Sequence, residues 1–86
     1  MASIEEVKLH LAASLADTGQ AALAMAGVVD RLDQAIARLR LVTIGSVHPR
    51  VEEAVNRLEQ AKVQVQQAQS LVRGAVDSAE SYRATI

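Results

Sequence analysis

The chain has 86 residues, of which 50% are hydrophobic and 22% are charged, and its nine basic and ten acidic side chains give a formal net charge of −1. This hydrophobic content is too high for a disordered chain, and the balanced charge provides no broad attraction to nucleic acid or to an anionic membrane surface. The sequence has no cysteine, which excludes disulfides and thiolate metal sites, and its aromatic content of 1% favours thin layers of packed helices over a globular α/β interior.

The N-terminal residues, Met1 to Glu6, lack the basic region and the apolar core of a secretory signal. No apolar run approaches the ~20 residues that a membrane span needs. We therefore expect a cytoplasmic protein that does not enter the membrane.

A first helix is predicted from about residue 4 to residue 42. Ser3 and Glu6 have the spacing of a capping box, in which the serine hydroxyl accepts a hydrogen bond from the Glu6 amide. Apolar residues then recur at helical spacing as far as Leu39, and only Thr18–Gly19 interrupts them.

A turn is predicted over residues 43–48. Gly45 can end the first helix in a left-handed conformation. Pro49 fits the first turn of the next helix, with His48 or Ser46 as its N-cap.

The second helix, predicted from about residue 49 to residue 84, has apolar residues at the first and fourth positions of a seven-residue repeat. The fourth positions are mostly alanine, so another helix can pack closely against them. The first positions are Val51, Leu58, Val65, Val72, Ala79 and Ile86, and the fourth are Ala54, Ala61, Ala68, Ala75 and Tyr82. Because a short loop forces two long helices to run antiparallel, the sequence predicts an all-α fold: one domain, residues 1–86, formed by an antiparallel two-helix hairpin with an alanine-rich coiled-coil seam.

The position of the turn also predicts how the helices are aligned. If Val42 faces Val51, the numbers of opposed residues sum to about 93, and large side chains of the first helix repeatedly face alanine on the second. The predicted pairs include Leu32 with Ala61, Met25 with Ala68, Val28 with Val65, Leu11 with Tyr82, and Val7 with Ile86.

Further apolar residues lie beside the predicted seam and would stay exposed in a single hairpin. An uncharged stretch of each helix, residues 18–29 and 63–72, falls at the same level of the rod. Exposed apolar columns usually mark an interface, so we expect a homodimer in which two hairpins form a four-helix bundle. The predicted interface residues are Leu15, Ala22, Val29, Ile36, Val55, Val63, Leu71 and Val76.

Small residues coincide at one level of the predicted rod. They are Ser14, Thr18 and Gly19 on the first helix and Gly74, Ala75 and Ala79 on the second. We favour a close approach of the two backbones, or a mild kink, as the explanation. Docking of a partner helix at this level is the alternative.

No group of side chains has the pattern of a catalytic, cofactor-binding or metal site. His10 and His48, the two histidines, would lie at opposite ends of the rod and cannot share a metal ion. The carboxylates have basic residues within helical reach, as Glu53 has Arg57, which indicates a solvated face rather than an acid–base pair. No aromatic side chain accompanies the arginines near the turn to stack on bases. We therefore expect no enzymatic activity, no cofactor, no metal and no nucleic-acid binding.

The whole chain resembles the small helical-hairpin proteins of type VII (ESX-like, WXG-motif) secretion in its size, its alanine-rich helices and its glycine-containing turn. That family has Trp-X-Gly in the turn, where this sequence has Thr43-Ile44-Gly45, and a C-terminal tyrosine followed four residues later by an acid, where this sequence has Tyr82 and Ile86. The chain is also similar to short uncharacterised actinobacterial helical-hairpin proteins with a Gly-Ser-x-His-Pro turn, which Gly45–Pro49 fits. The first resemblance implies secretion without a cleavable signal peptide.

Two functions remain open. The first is a non-enzymatic protein–protein interaction module that self-associates through apolar helix faces. The alternative is a small accessory or substrate of a type VII (ESX-like) system that pairs with a larger effector. A stable homodimer favours the first, and a chain that needs a co-expressed neighbour favours the second.

Overall fold

A computed structural model of the protein describes residues 3–42, 44 and 48–86. Helix α1 spans Ile4–Val42 and helix α2 spans Pro49–Thr85. The helices pack against each other in a rod of 65 × 19 × 14 Å. The predicted all-α hairpin is confirmed, and both helices lie within a residue or so of their predicted bounds. Most of the predicted turn, residues 43 and 45–47, lies outside the described residues.

Local hydrogen bonds fix where each helix begins. The Glu6 amide donates to the Ser3 hydroxyl at 3.1 Å, which confirms the predicted cap of α1. At the start of α2, the Arg50 amide donates to Nδ1 of His48 at 3.2 Å, and His48 has extended backbone angles (φ −113°, ψ 123°). His48 is therefore the N-cap of α2, and Pro49 follows it where a missing N–H costs nothing.

The seam between the helices contains many half-buried residues but one buried residue among those described, Ile36, which is 3% exposed. The half-buried residues of α1 are Val7, Leu11, Leu15, Thr18, Ala22, Met25, Val29, Leu32, Ala35 and Leu39. Those of α2 are Val51, Ala54, Val55, Leu58, Glu59, Ala61, Lys62, Val65, Ala68, Gln69, Val72, Val76 and Ala79. Three of the predicted fourth-position alanines, at 54, 61 and 68, are thus in the seam.

On α1, one column of the seam differs from the prediction. Val28 and Val42 were expected in the seam, but they are 43% and 71% exposed. The column Leu15, Ala22, Val29 and Ile36 takes their place. This column has larger apolar side chains than the expected column, which includes Ser14 and Ala21. Compared with the prediction, α1 is rotated about its axis so that the larger side chains face α2, and this removes more apolar surface from water.

On α2, the seam moves to a neighbouring column near the C-terminus. Ala75 is exposed and Val76 is half-buried in its place. Tyr82 and Ile86 are 50% and 36% exposed, so the predicted partners Leu11 and Val7 do not bury these two residues. A straight helix drifts about 20° per heptad against a repeat of 3.5 residues, and over five heptads this drift is enough to change the column that faces α1.

Two ion pairs join the helices and show their alignment. Lys62 Nζ lies 2.6 Å from Asp33 Oδ1, and Arg40 Nη2 lies 3.1 Å from Glu59 Oε1. The first pair has residue numbers that sum to 95, two more than predicted, which corresponds to a slide of about 3 Å at 1.5 Å per residue. The second pair sums to 99 because the long arginine side chain reaches along the rod.

Candidate interaction surface

The hairpin leaves far more surface in water than a compact protein of its mass. Its accessible surface is 6583 Å², whereas a compact monomer of 9.2 kDa exposes about 4900 Å². Its radius of gyration is 19.5 Å, against about 12 Å for a compact chain of this length. The elongated hairpin therefore leaves a large surface in water, and this surface includes many apolar side chains.

Six of the eight predicted interface residues already contribute to the hairpin. Ile36 is buried, and Leu15, Ala22, Val29, Val55 and Val76 are half-buried. The expectation that these side chains stay exposed in a single hairpin is wrong, because the seam runs along the column of α1 that contains four of them. Val63 and Leu71 remain exposed, at 50% and 76%.

One broad side of the rod carries both ion pairs between the helices, and we call it the ion-pair face. It is defined by Asp33, Arg40, Glu59 and Lys62, and it continues along the rod as an open groove of about 410 Å³. The groove is lined by Gly19, Ala22, Leu23, Ala26, Gln69, Val72, Arg73 and Val76. Leu23, 75% exposed, is the large apolar side chain at its edge.

The opposite broad side is neutral and small in its centre, and we call it the Leu71 face. On α1, each residue of the Leu71 face comes one position before a half-buried seam residue. Each residue of the ion-pair face comes one position after a seam residue. The central residues of the Leu71 face are Ala21, Ala24, Val28, Leu71 and Ala75, all of them exposed. Of these residues only Leu71 was predicted to be an interface residue, since exposed alanines give no signal in a hydrophobic pattern.

The three described glycines of the helices do not bring the two backbones close together. A Cβ atom added to Gly19, Gly27 or Gly74 would meet nothing within 4 Å. The favoured explanation for the small residues at this level was a close approach of the two backbones or a mild kink, and the close approach is wrong at Gly19 and Gly74. The space beside these residues is open to solvent.

The exposed outer side of α2 is a shallow polar depression. It is lined by Glu59, Gln60, Val63, Gln64 and Gln67, all from one helix. A small-molecule site needs polar groups that converge from several directions on an enclosed space. This depression provides no such enclosure.

The charged side chains form local pairs at the surface. Arg57 Nη2 lies 2.7 Å from Glu53 Oε1, as the helical spacing predicted, and Arg83 lies 3.2 Å from Glu80. Within residues 3–42, 44 and 48–86 there is no cluster of three or more histidine or acidic side chains that could hold a metal ion. In the same residues, neither helix combines the length and apolarity required to cross a membrane.

The Asp33–Lys62 ion pair gives the hairpin one pH-dependent element. The hydrogen bond that the Lys62 ammonium donates to the Asp33 carboxylate raises the pKa of Lys62 above its usual 10.5. A raised lysine pKa stabilises the folded state fully below the unfolded pKa, and this contribution is lost as the pH rises through the folded value.

We expect the Asp33→Asn variant to lose less thermal stability than the wild type between about pH 10 and pH 12, because the variant has no carboxylate to hold the lysine proton. Thermal melts followed by circular dichroism at a series of pH values measure this difference. Asp30→Asn, which alters an acidic residue outside the ion pairs of the described residues, is the control. Parallel pH profiles for the wild type and Asp33→Asn would contradict the assignment.

The chain matches no protein-family model, no curated protein and no solved structure.

Proposed function

We propose that this protein is a non-enzymatic interaction module, a helical hairpin that pairs with a second copy of itself to form a four-helix bundle. The observation that carries the proposal is that Ile36 is the one buried residue among those described, in a helical hairpin whose surface is about a third larger than that of a compact monomer. A second hairpin is the simplest partner that can complete such a core, because each copy has an exposed apolar face that the other copy can cover.

The exposed side chains make this association favourable. Leu71 is 76% exposed and Val28 is 43% exposed, and a two-fold interface on their side of the rod covers both side chains of each copy. Covering a leucine contributes about 1.5–3 kcal/mol, so two or three such side chains at a two-fold interface provide a substantial part of the free energy of a micromolar complex. The open groove and the paired surface charges support binding of a macromolecule rather than chemistry on a small substrate.

The mass of the purified chain in solution tests the proposal. Size-exclusion chromatography with light scattering at 5–100 µM should give about 18 kDa, twice the chain mass of 9.2 kDa. A well-folded monomer of 9.2 kDa across this range would contradict self-association.

A second candidate is the type VII (ESX-like) accessory or substrate that pairs with a larger protein. The exposed C-terminal part of α2, with Tyr82 half in water, favours it because a partner can cover this end of the rod. A chain that is weakly helical and monomeric alone, and that gains helix only when co-expressed with a neighbouring gene product, would support this function over homodimerisation.

A further inference from the structure

This inference rests on the proposed self-association, and we propose which face of the hairpin forms the dimer interface and how the two copies are oriented. A second copy packs on the Leu71 face in the antiparallel sense, and the two-fold axis passes through the rod at the level of Ala24 and Leu71.

The alignment of the helices places these two residues together. Residues at one level have numbers that sum to about 95, as Asp33 and Lys62 do, and this puts Leu71 level with Ala24. At this alignment both helices lack charged residues over 23–29 of α1 and the facing 66–72 of α2, and the level of Ala24 and Leu71 lies within this stretch. The axis lies at the middle of the uncharged residues 18–29 of α1, so the two-fold operation brings this neutral part of α1 onto the same part of the other copy.

Large and small side chains alternate across that axis. An antiparallel two-fold operation packs α1 on α1 and α2 on α2. Val28 lies four residues from Ala24 on one side and Ala21 lies three residues from it on the other, so the exposed Val28 of each copy lies near Ala21 of the other. Leu71, 76% exposed, lies at the axis and meets Leu71 of the other copy beside the exposed Ala24. Side chains of this kind can interdigitate without a void or a clash.

The charges that border the Leu71 face are complementary under the same operation. Asp17 and Arg31 each lie seven residues from Ala24, so they flank the axis at about 10 Å on opposite sides. Within the described part of the chain neither side chain forms an ion pair. The antiparallel arrangement places Asp17 of each copy beside Arg31 of the other, which gives two ion pairs per dimer.

The ion-pair face fits a second copy less well. Covering it would desolvate the Asp33–Lys62 and Arg40–Glu59 pairs, and desolvation of paired charges often costs more than the pair returns. A two-fold axis at Leu23 would also bring Asp30 of one copy to the level of Glu80 of the other, and like charges there would repel.

The available surface is large enough for this interface. The hairpin exposes roughly 1600–1700 Å² more than a compact chain of its mass. A standard stable interface covers about 800 Å² on each partner. One rod face about 19 Å wide offers this area over a length of about 40 Å, well within the 65 Å rod.

Two matched leucine variants test the face. Leu71→Glu should raise the dimer dissociation constant at least 100-fold, because it places two carboxylates near the axis, and Leu23→Glu should change it less than about threefold. The two leucines are equally exposed, 76% and 75%, so neither substitution disturbs the seam of a single hairpin. Sedimentation equilibrium measures both constants.

A charge exchange tests the orientation without depending on the leucines. Asp17→Arg and Arg31→Asp should each weaken the dimer about tenfold, and the double variant should restore most of the affinity. Failure of the double variant to recover, with both single variants impaired, would overturn the antiparallel arrangement.

The outcomes separate this inference from the proposed function. A monomeric wild type would contradict both. A dimeric wild type that Leu23→Glu dissociates, and that Leu71→Glu leaves intact, would overturn the Leu71 face and leave self-association standing. Dissociation by Leu71→Glu alone supports both.

Discussion

Ile36→Glu is expected to unfold the hairpin, with loss of most of the helical circular dichroism signal at room temperature. The side chain is 3% exposed, and the substitution both removes its buried hydrocarbon and places a carboxylate in the seam. The lost burial is about 2 kcal/mol, and an unpaired buried charge adds several more, a total comparable with the entire stability of a small domain.

The control for this variant is Leu41→Glu, five residues further along α1. Leu41 is 65% exposed, and a substitution there should change the free energy of unfolding by less than about 0.5 kcal/mol. Urea titrations of the three proteins provide the comparison. If Ile36→Glu remained fully helical and merely became monomeric, Ile36 would be a residue of the dimer interface, as the sequence pattern first indicated, and would not belong to the seam between α1 and α2.

Ala61→Leu is expected to destabilise the hairpin by about 1–3 kcal/mol, because added methyl groups in a packed seam force neighbouring side chains out of their preferred rotamers. Ala61 is half-buried, and the alignment places it between the levels of Leu32 and Ile36, where the packing is tightest. Thermal and urea unfolding measure the loss.

Ala37→Leu is the matched control, since it makes the same chemical change at an exposed position of the same region. It should leave the free energy of unfolding within about 0.5 kcal/mol of the wild type. Equal stability of both leucine variants would show that no close-packed alanine track exists along α2.

The sequence was sufficient to predict the two helices and the cap of α1, and it narrowed the cap of α2 to His48 or Ser46, of which the structure has His48. Ser3 and His48 are short-range signals, and the hydrogen bonds that they accept depend only on residues two or three positions away. The antiparallel arrangement also followed from local information, because the break between α1 and α2 is too short for any other.

The sequence pattern did not decide which column of α1 forms the seam. Met25, Leu32 and Leu39 can be joined by the column that contains Val28 or by the column that contains Val29, and both give a 3-4 repeat. The structure buries the column that contains Val29, because its larger side chains bury more apolar surface against α2. The angular drift of a straight helix against the seven-residue repeat also accumulates over the length of the rod. Assignment of the interface depended on that choice, so most of the predicted interface residues are found inside the hairpin.

The apolar side chains of α1 contained information that distinguishes the two columns. The column Leu15, Ala22, Val29 and Ile36 is more hydrophobic than its neighbour, and a comparison of the two columns by side-chain volume would have identified it as the seam. Leu71 and Val63 would then have remained as the exposed residues of α2. The exposed alanines of the Leu71 face have no comparable signal.

The dependence of thermal stability on protein concentration tests the central claim, that one hairpin is an incomplete core which a second copy completes. Melting curves from about 1 µM to 100 µM should shift upward by about 5–10 °C, because a hundredfold rise in concentration adds about 2.7 kcal/mol per dimer to the folded state. A melting temperature that stays constant over this range, with a fully helical chain, would show that the single hairpin is stable alone and would contradict the claim.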